Sequence, residues 1–211
     1  MSIVAPPEQR VVLRDVSWET YERLLADLEN SSAPRLTFDR GVLEIMSPLS
    51  EHEKANRTIS LLVEVFAEEM GLEIENLGST TFKREDMQRG FEPDSCFYVR
   101  NADRIRGKKR IDPAVDPPRD LVIEVDLTSD SLKKFDLYAQ FGVPEVWRYE
   151  SELLNVFVLN LDQSTYISVP ASRIFPQLTA AILSSFIQDS QSSTRLEWLK
   201  KLRAWLQEQR G

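Results

Sequence analysis

Apolar positions at helical spacing first occur behind Ser17, where Tyr21, Leu24, Leu25 and Leu28 share one face. Ser17 is a good N-cap, and this helix should end near Asn30 and Ser31, before Pro34. Residues 35–38 and 42–46 flank Asp39-Arg40-Gly41, a short Gly-containing connection that predicts a β-hairpin. Ser50-Glu51-His52-Glu53 has the pattern of a capping box. Behind it Ile59, Leu62, Val63, Phe66 and Met70 form one stripe up to Gly71, which predicts a long helix. Strands are expected over 73–77, 80–83 and 95–99, then a basic, proline-rich loop over 100–119. Leu121-Val122-Ile123-Glu124-Val125 is a nearly continuous apolar run with one acid inside it, the pattern of a strand buried on both faces. Ser129 to Ser131 can cap a short helix containing Leu132, Phe135, Leu137 and Tyr138, closed by Gly142. Strands over 145–149, 153–159 and 166–169 follow. Helices over 178–187 and 193–209 come last, separated by a polar Asp-Ser-Gln-Ser-Ser linker.

This order predicts an α/β fold of the mixed α+β kind, a mixed central sheet flanked by helices with extra helices at the C-terminus. One domain over residues 1–190 and a helical appendage over 191–211 are expected. In the last helix Leu196, Trp198, Leu199, Leu202, Trp205 and Leu206 make a broad apolar face, which should dock either on its own domain or on a second copy to give a homodimer.

Composition narrows the chemistry. The 26 Lys and Arg against 34 Asp and Glu give a net charge of −8 over 211 residues, within the range of ordinary globular chains. The single cysteine, Cys96, excludes an intramolecular disulfide and a Cys-rich zinc site, and points to a reducing, cytoplasmic setting. The start of the chain carries no apolar signal-like region, and no apolar stretch reaches the ~20 residues of a membrane span, so neither secretion nor membrane insertion is expected. One histidine, His52, excludes a His-based zinc hydrolase. Any metal chemistry therefore falls to carboxylates, which suit Mg²⁺, Mn²⁺ or Ca²⁺.

Two carboxylates stand where carboxylates are costly. Asp94 follows Pro93 at the start of a strand, and Glu124 lies within an apolar one. A buried acid must be protonated, paired with a base or bound to a cation. Asp94 reads as a turn acid, and Glu124 as half of an ion pair with an arginine across the sheet. Alternatively the two, with Asp126 on the same face as Glu124 and Lys133 and Lys134 just beyond, make a metal and phosphate site. A second feature is the basic run over 100–110, which includes Arg104, Arg106, Lys108, Lys109 and Arg110 and has Asp103 as its one acid. It is either a solvated loop or a DNA-backbone contact leading from the Asp94 strand, although the acidic remainder of the chain would slow the approach of DNA.

Phe91-Glu92-Pro93-Asp94-Ser95-Cys96-Phe97-Tyr98 and the run from Asp120 to Ser131 are joined by Lys134, Tyr138 and Gly142-Val143-Pro144-Glu145-Val146-Trp147-Arg148-Tyr149. Together these blocks resemble the signature of the Uma-two family, restriction-endonuclease-like proteins of the PD-(D/E)XK nuclease superfamily. The stretch from Gly41 to Pro48, followed by His52, is similar to that family's N-terminal motif. The resemblance implies a restriction-endonuclease-like core, with Asp94 and Glu124 as the two metal ligands and Mg²⁺, or Mn²⁺, as the cofactor. Lys is absent from the position two residues after Glu124, where Asp126 stands, and the family's lysine matches Lys134 instead, with Lys133 as a nearby substitute. His52 borders the site, and Glu53 would add a ligand or an orienting acid. Asp126 would complete the coordination or face solvent.

Three readings follow. The first is a Mg²⁺-dependent endonuclease that hydrolyses DNA. The second is a nucleic-acid-binding or regulatory module of the same fold that cuts nothing. The third is a protein-interaction scaffold working through the C-terminal helix.

Overall fold

A computed structural model describes residues 9–28, 34–127 and 134–209. Their elements are β1 (Gln9–Leu13), α1 (Trp18–Asp27), β2 (Arg35–Asp39), β3 (Val42–Ser47), α2 (Ser50–Met70), β4 (Glu75–Gly78), β5 (Phe82–Arg84), β6 (Arg89–Phe91), β7 (Ser95–Tyr98), α3 (Ala102–Ile105), β8 (Leu121–Asp126), α4 (Phe135–Gln140), β9 (Glu145–Glu150), β10 (Leu153–Asn160), β11 (Thr165–Val169), α5 (Ala180–Ser192) and α6 (Arg195–Glu208). The mixed α+β class is as expected, but the strands divide into two sheets instead of forming one. The order β1-β3-β2-β6-β5 makes an antiparallel sheet, and β11-β10-β9-β8-β7-β4 makes a mixed one in which β8 and β9 run parallel. A parallel pair needs a crossover, and α4 lies in the segment between β8 and β9.

Local chemistry explains most boundaries. Ser17 caps α1, its hydroxyl accepting from the Thr20 amide at 3.1 Å. The β2–β3 hairpin turns through Arg40 and Gly41, both at positive φ (45° and 90°), as a two-residue hairpin turn matched to strand twist requires. Gly71 in the left-handed region (φ 67°) ends α2. The expected capping box at its start is absent: Leu49 is the N-cap and Ser50 is already helical. The Glu53 carboxylate is instead drawn to Arg35, at 3.0 Å.

Alternation along β8 positions the site. Leu121, Ile123 and Val125 join α2, α5 and α6 in the main core, while Val122 faces a second cluster with Leu137 and Tyr138 of α4 and with Phe82 and Phe91 of the first sheet. Glu124 shares the face of Val122 and so points toward α4.

At the C-terminus, Thr179 caps α5, which continues through the stretch expected as a linker, so the expected boundary between residues 190 and 191 falls inside a helix. Ser190 tolerates that position by hydrogen bonding back to the Ile187 carbonyl at 2.6 Å. Thr194 and Glu197 form a reciprocal capping box that starts α6. Trp198, Leu202 and Leu206 then bury in the same core as α2 and the sheet, and the Trp198 indole donates to the Phe186 carbonyl at 2.7 Å. Of the apolar face expected to dock on its own domain or on a second copy, Trp198, Leu202 and Leu206 are docked on their own chain, whereas Leu196 is exposed.

Candidate active site

At the end of β8 and the start of β7, four expected residues meet. Asp94 and Glu124 are each 2% exposed, His52 is fully buried and Lys134 is 8% exposed. Lys134 Nζ donates to Glu124 Oε2 at 3.0 Å, and the Tyr138 hydroxyl donates to Glu124 Oε1. On the neighbouring strand Asp94 Oδ2 accepts from the Val125 amide at 2.8 Å and lies 3.2 Å from His52 Nε2. Asn56, one turn of α2 beyond His52, donates to the Asp94 carbonyl at 3.0 Å and accepts from the Ser95 hydroxyl at 2.9 Å. Ser60, a further turn on, bonds Ser95 at 3.0 Å. One face of α2 therefore fixes the backbone that presents Asp94.

The two carboxyls are pushed apart. Burial works to raise Asp94, but the His52 imidazole 3.2 Å away, the charge of Lys134 and the Val125 amide outweigh it, so its pKa lies below the usual carboxylate value. Burial lifts Glu124 to about 7; the Asp94 charge adds to that rise, while Lys134 and Tyr138 oppose it. Lys134 is raised above its ordinary value, because the attraction of Glu124 and Asp94 exceeds the cost of burial. One carboxylate is thus fixed as an anion and the other exchanges its proton near neutral pH.

Asp94 Oδ1 is buried with no hydrogen-bond partner among the described residues. Such an oxygen costs free energy unless a cation or donor meets it. Two hard carboxylates, one with an open oxygen, fit Mg²⁺ or Mn²⁺, which keep several waters and need few protein ligands. Among the described residues no cluster of three His, Cys, Asp or Glu side chains suited to a metal occurs, so a site closed entirely by side chains does not fit.

Other expected residues lie elsewhere. Asp126 neither joins the site nor faces solvent: it is buried and receives Arg148 Nε at 2.6 Å, and the same guanidinium reaches Glu150 at 2.7 Å. The cross-sheet arginine pair foreseen for Glu124 is thus made two residues later, because Lys134 and Tyr138 take up Glu124. Glu53 is turned to Arg35. Lys133 lies outside the described residues. The basic run follows the far end of β7, separated from Asp94 by a strand of roughly 13 Å, and does not lead from the site. Within it Arg106 is held by Glu73 at 2.8 Å, Asp103 at 3.1 Å and Glu75 at 3.3 Å, and Lys108 pairs with Asp116, whereas Arg104, Lys109 and Arg110 are exposed.

Tyr138, Asn56 and Ser95 were given no role in the sequence. For the first two a signal existed: Tyr138 is four residues after Lys134, and Asn56 four after His52, so each shares a helix face with a site residue.

The fold and site define a mixed α+β protein with a buried carboxylate–lysine centre at the end of its mixed sheet. The chain belongs to the Uma2 family, whose model, described as "Putative restriction endonuclease", matches residues 18–195. A solved structure described as a "putative nuclease belonging to DUF820", from Anabaena variabilis, is similar at 15% identity with a TM-score of 0.49, over 72% of this chain and 90% of that one. No curated protein matches the sequence.

Proposed function

We propose that this protein is a metal-dependent endonuclease that hydrolyses phosphodiester bonds of DNA. The observation that carries this reading is the buried pair itself, with Glu124 held between Lys134 and Tyr138 beside an Asp94 whose Oδ1 is open. Family membership supports the reaction class. Asp94 and Glu124 would hold Mg²⁺ or Mn²⁺, which when bound supplies Lewis acidity and charge neutralisation at the phosphate.

The chain's own groups do the rest. His52 and the Val125 amide keep Asp94 ionised and oriented. Glu124, ionised when it holds the metal, would accept a hydrogen bond from the attacking water and orient it. The water gives a proton to solvent as its oxygen forms the bond to phosphorus, the bond to the leaving sugar oxygen breaks, and that oxygen takes a proton from solvent. Lys134 stays charged and offers Nζ to the negative charge that builds on the phosphate oxygens.

A nucleic-acid-binding module that cuts nothing draws on a different observation: both acids are 2% exposed, so a phosphate reaches them only after local opening. Thermal unfolding separates the readings. An endonuclease of this design gains stability from Mg²⁺ or Mn²⁺, and Asp94→Asn loses that gain. Absence of any metal-dependent shift in the unaltered protein counts against the proposal.

A further inference from the structure

The helix that backs the site carries a second, differently equipped face. His52, Asn56 and Ser60 of α2 turn toward Asp94, whereas Lys54, Arg57 and Thr58 border a groove of about 680 Å³ between α2 and the junction of α5 with α6. Ser190, Ser193 and Arg195 form its opposite wall. A second groove of about 440 Å³ shares Lys54, Thr58 and Ser190 and runs on to Leu127 and Tyr149, at the ends of β8 and β9. The two make one path from the end of the strand that carries Glu124, over the first turns of α2, to the start of α6.

The charges on this path are unspent. Among the described residues Lys54, Arg57 and Arg195 form no ion pair, whereas Arg35, Arg89, Arg106, Arg148 and Arg203 are each bound to carboxylates. Among the described residues Glu53 is the one acid lining the larger groove, and it is occupied by Arg35 at 3.0 Å. Glu51 and Glu152 border the inner stretch, so the attraction for anions concentrates over the outer one. The remaining donors are the hydroxyls of Ser50 and Ser193 and the Gln191 amide, since the Thr58 and Ser190 hydroxyls are given to the Lys54 and Ile187 carbonyls. The aromatic side chain in the larger groove, Trp198, is buried with its N–H given to Phe186, so it offers no platform for a base.

We infer that this groove binds the phosphodiester backbone of the nucleic-acid strand that flanks the scissile bond, without reading its sequence. Cations and donors that meet phosphate oxygens set register and affinity and carry no sequence information themselves. The inference rests on the endonuclease reading for its orientation, but binding can be measured without cleavage.

The test is fluorescence anisotropy of a short labelled DNA duplex, and of a labelled single-stranded RNA, titrated in EDTA over a range of salt. It compares the unaltered protein with Lys54→Gln/Arg57→Gln/Arg195→Gln and with Arg104→Gln/Lys109→Gln/Arg110→Gln on the far loop. All substituted positions in both variants are exposed. The groove variant should bind at least about tenfold more weakly at low salt, with a log Kd against log salt slope shallower by about 2 to 3, since each phosphate contact contributes about 0.9. An equal slope in the groove variant, flattening by the far-loop variant instead, or no binding by the unaltered protein at low salt overturns the inference. Groove-dependent binding without metal-dependent cleavage would sink the endonuclease reading and leave the groove standing. Cleavage with an unaffected groove variant would do the reverse.

Discussion

Glu124 decides how the site responds to pH. Its carboxyl is raised from 4.5 to about 7 in the fold, so folding favours the protonated form. That contribution is complete below about pH 4.5 and is lost as pH rises through about 7, on the order of 3 kcal/mol for a fully buried group. Metal-free protein should therefore unfold at lower temperature at pH 8 than at pH 6. Mg²⁺ should narrow or reverse the difference, because a ligand must be ionised to bind; the same pH slope with and without Mg²⁺ would argue against Glu124 as a ligand. Tyr138→Phe leaves a buried carboxylate oxygen without its donor and should cost about 1–3 kcal/mol in chemical denaturation. Cys96 offers a contrasting case: burial pushes its thiol up to about 11, so a thiolate-specific reagent at pH 8 should label it only on unfolding, and rapid labelling of folded protein would show that the second cluster is open. At this scale the sequence was informative where a residue broke its surroundings. Glu124 and Asp94 were legible as acids in costly places, whereas the part taken by Arg148 was not, since pairing across β8 and β9 depends on strand register.

Among the elements, β6 shows why short strands escape notice. It has three residues, one of them a glycine, and no alternating pattern. The glycine is needed there because a Cβ at Gly90 would overlap the Tyr21 ring of α1, which stacks on Phe38. Gly90→Ala should destabilise the protein by about 1–3 kcal/mol, and a neutral effect in denaturant unfolding would mean that α1 does not press on the first sheet. β1 was equally silent in the sequence: it is an edge strand with mostly exposed residues, so burial imposes no period on it. The long helix, the hairpin and the buried strand were legible because each has a core face that fixes its period. Their ends were less so: the S-x-x-E pattern of α2 failed when Arg35 recruited its glutamate, and the serines read as a linker were absorbed into α5 by bonds to their own backbone.

For the whole molecule, the sheet, α2, α5 and α6 share one core, so the C-terminal helix should not behave as a separable unit. Trp198→Ala should cost about 3–5 kcal/mol and lower the midpoint of a single cooperative transition. A second, independent transition would instead reveal an appendage. The fold was foreseen in class but not in its division into two sheets, because the pairings β2–β6 and β4–β7 join strands far apart in sequence. An acidic chain of net charge −8 can still handle a polyanion where unpaired cations are gathered and the site's own carboxylates are buried, which is how Lys54, Arg57 and Arg195 stand relative to Asp94 and Glu124. The measurement that bears most directly on the account is plasmid cleavage in Mg²⁺ or Mn²⁺ by the unaltered protein, Glu124→Gln and Lys134→Met, purified identically. Metal-dependent nicking that falls at least about a hundredfold in both variants is the predicted result. No cleavage with either metal, or equal cleavage by all three proteins, would contradict it.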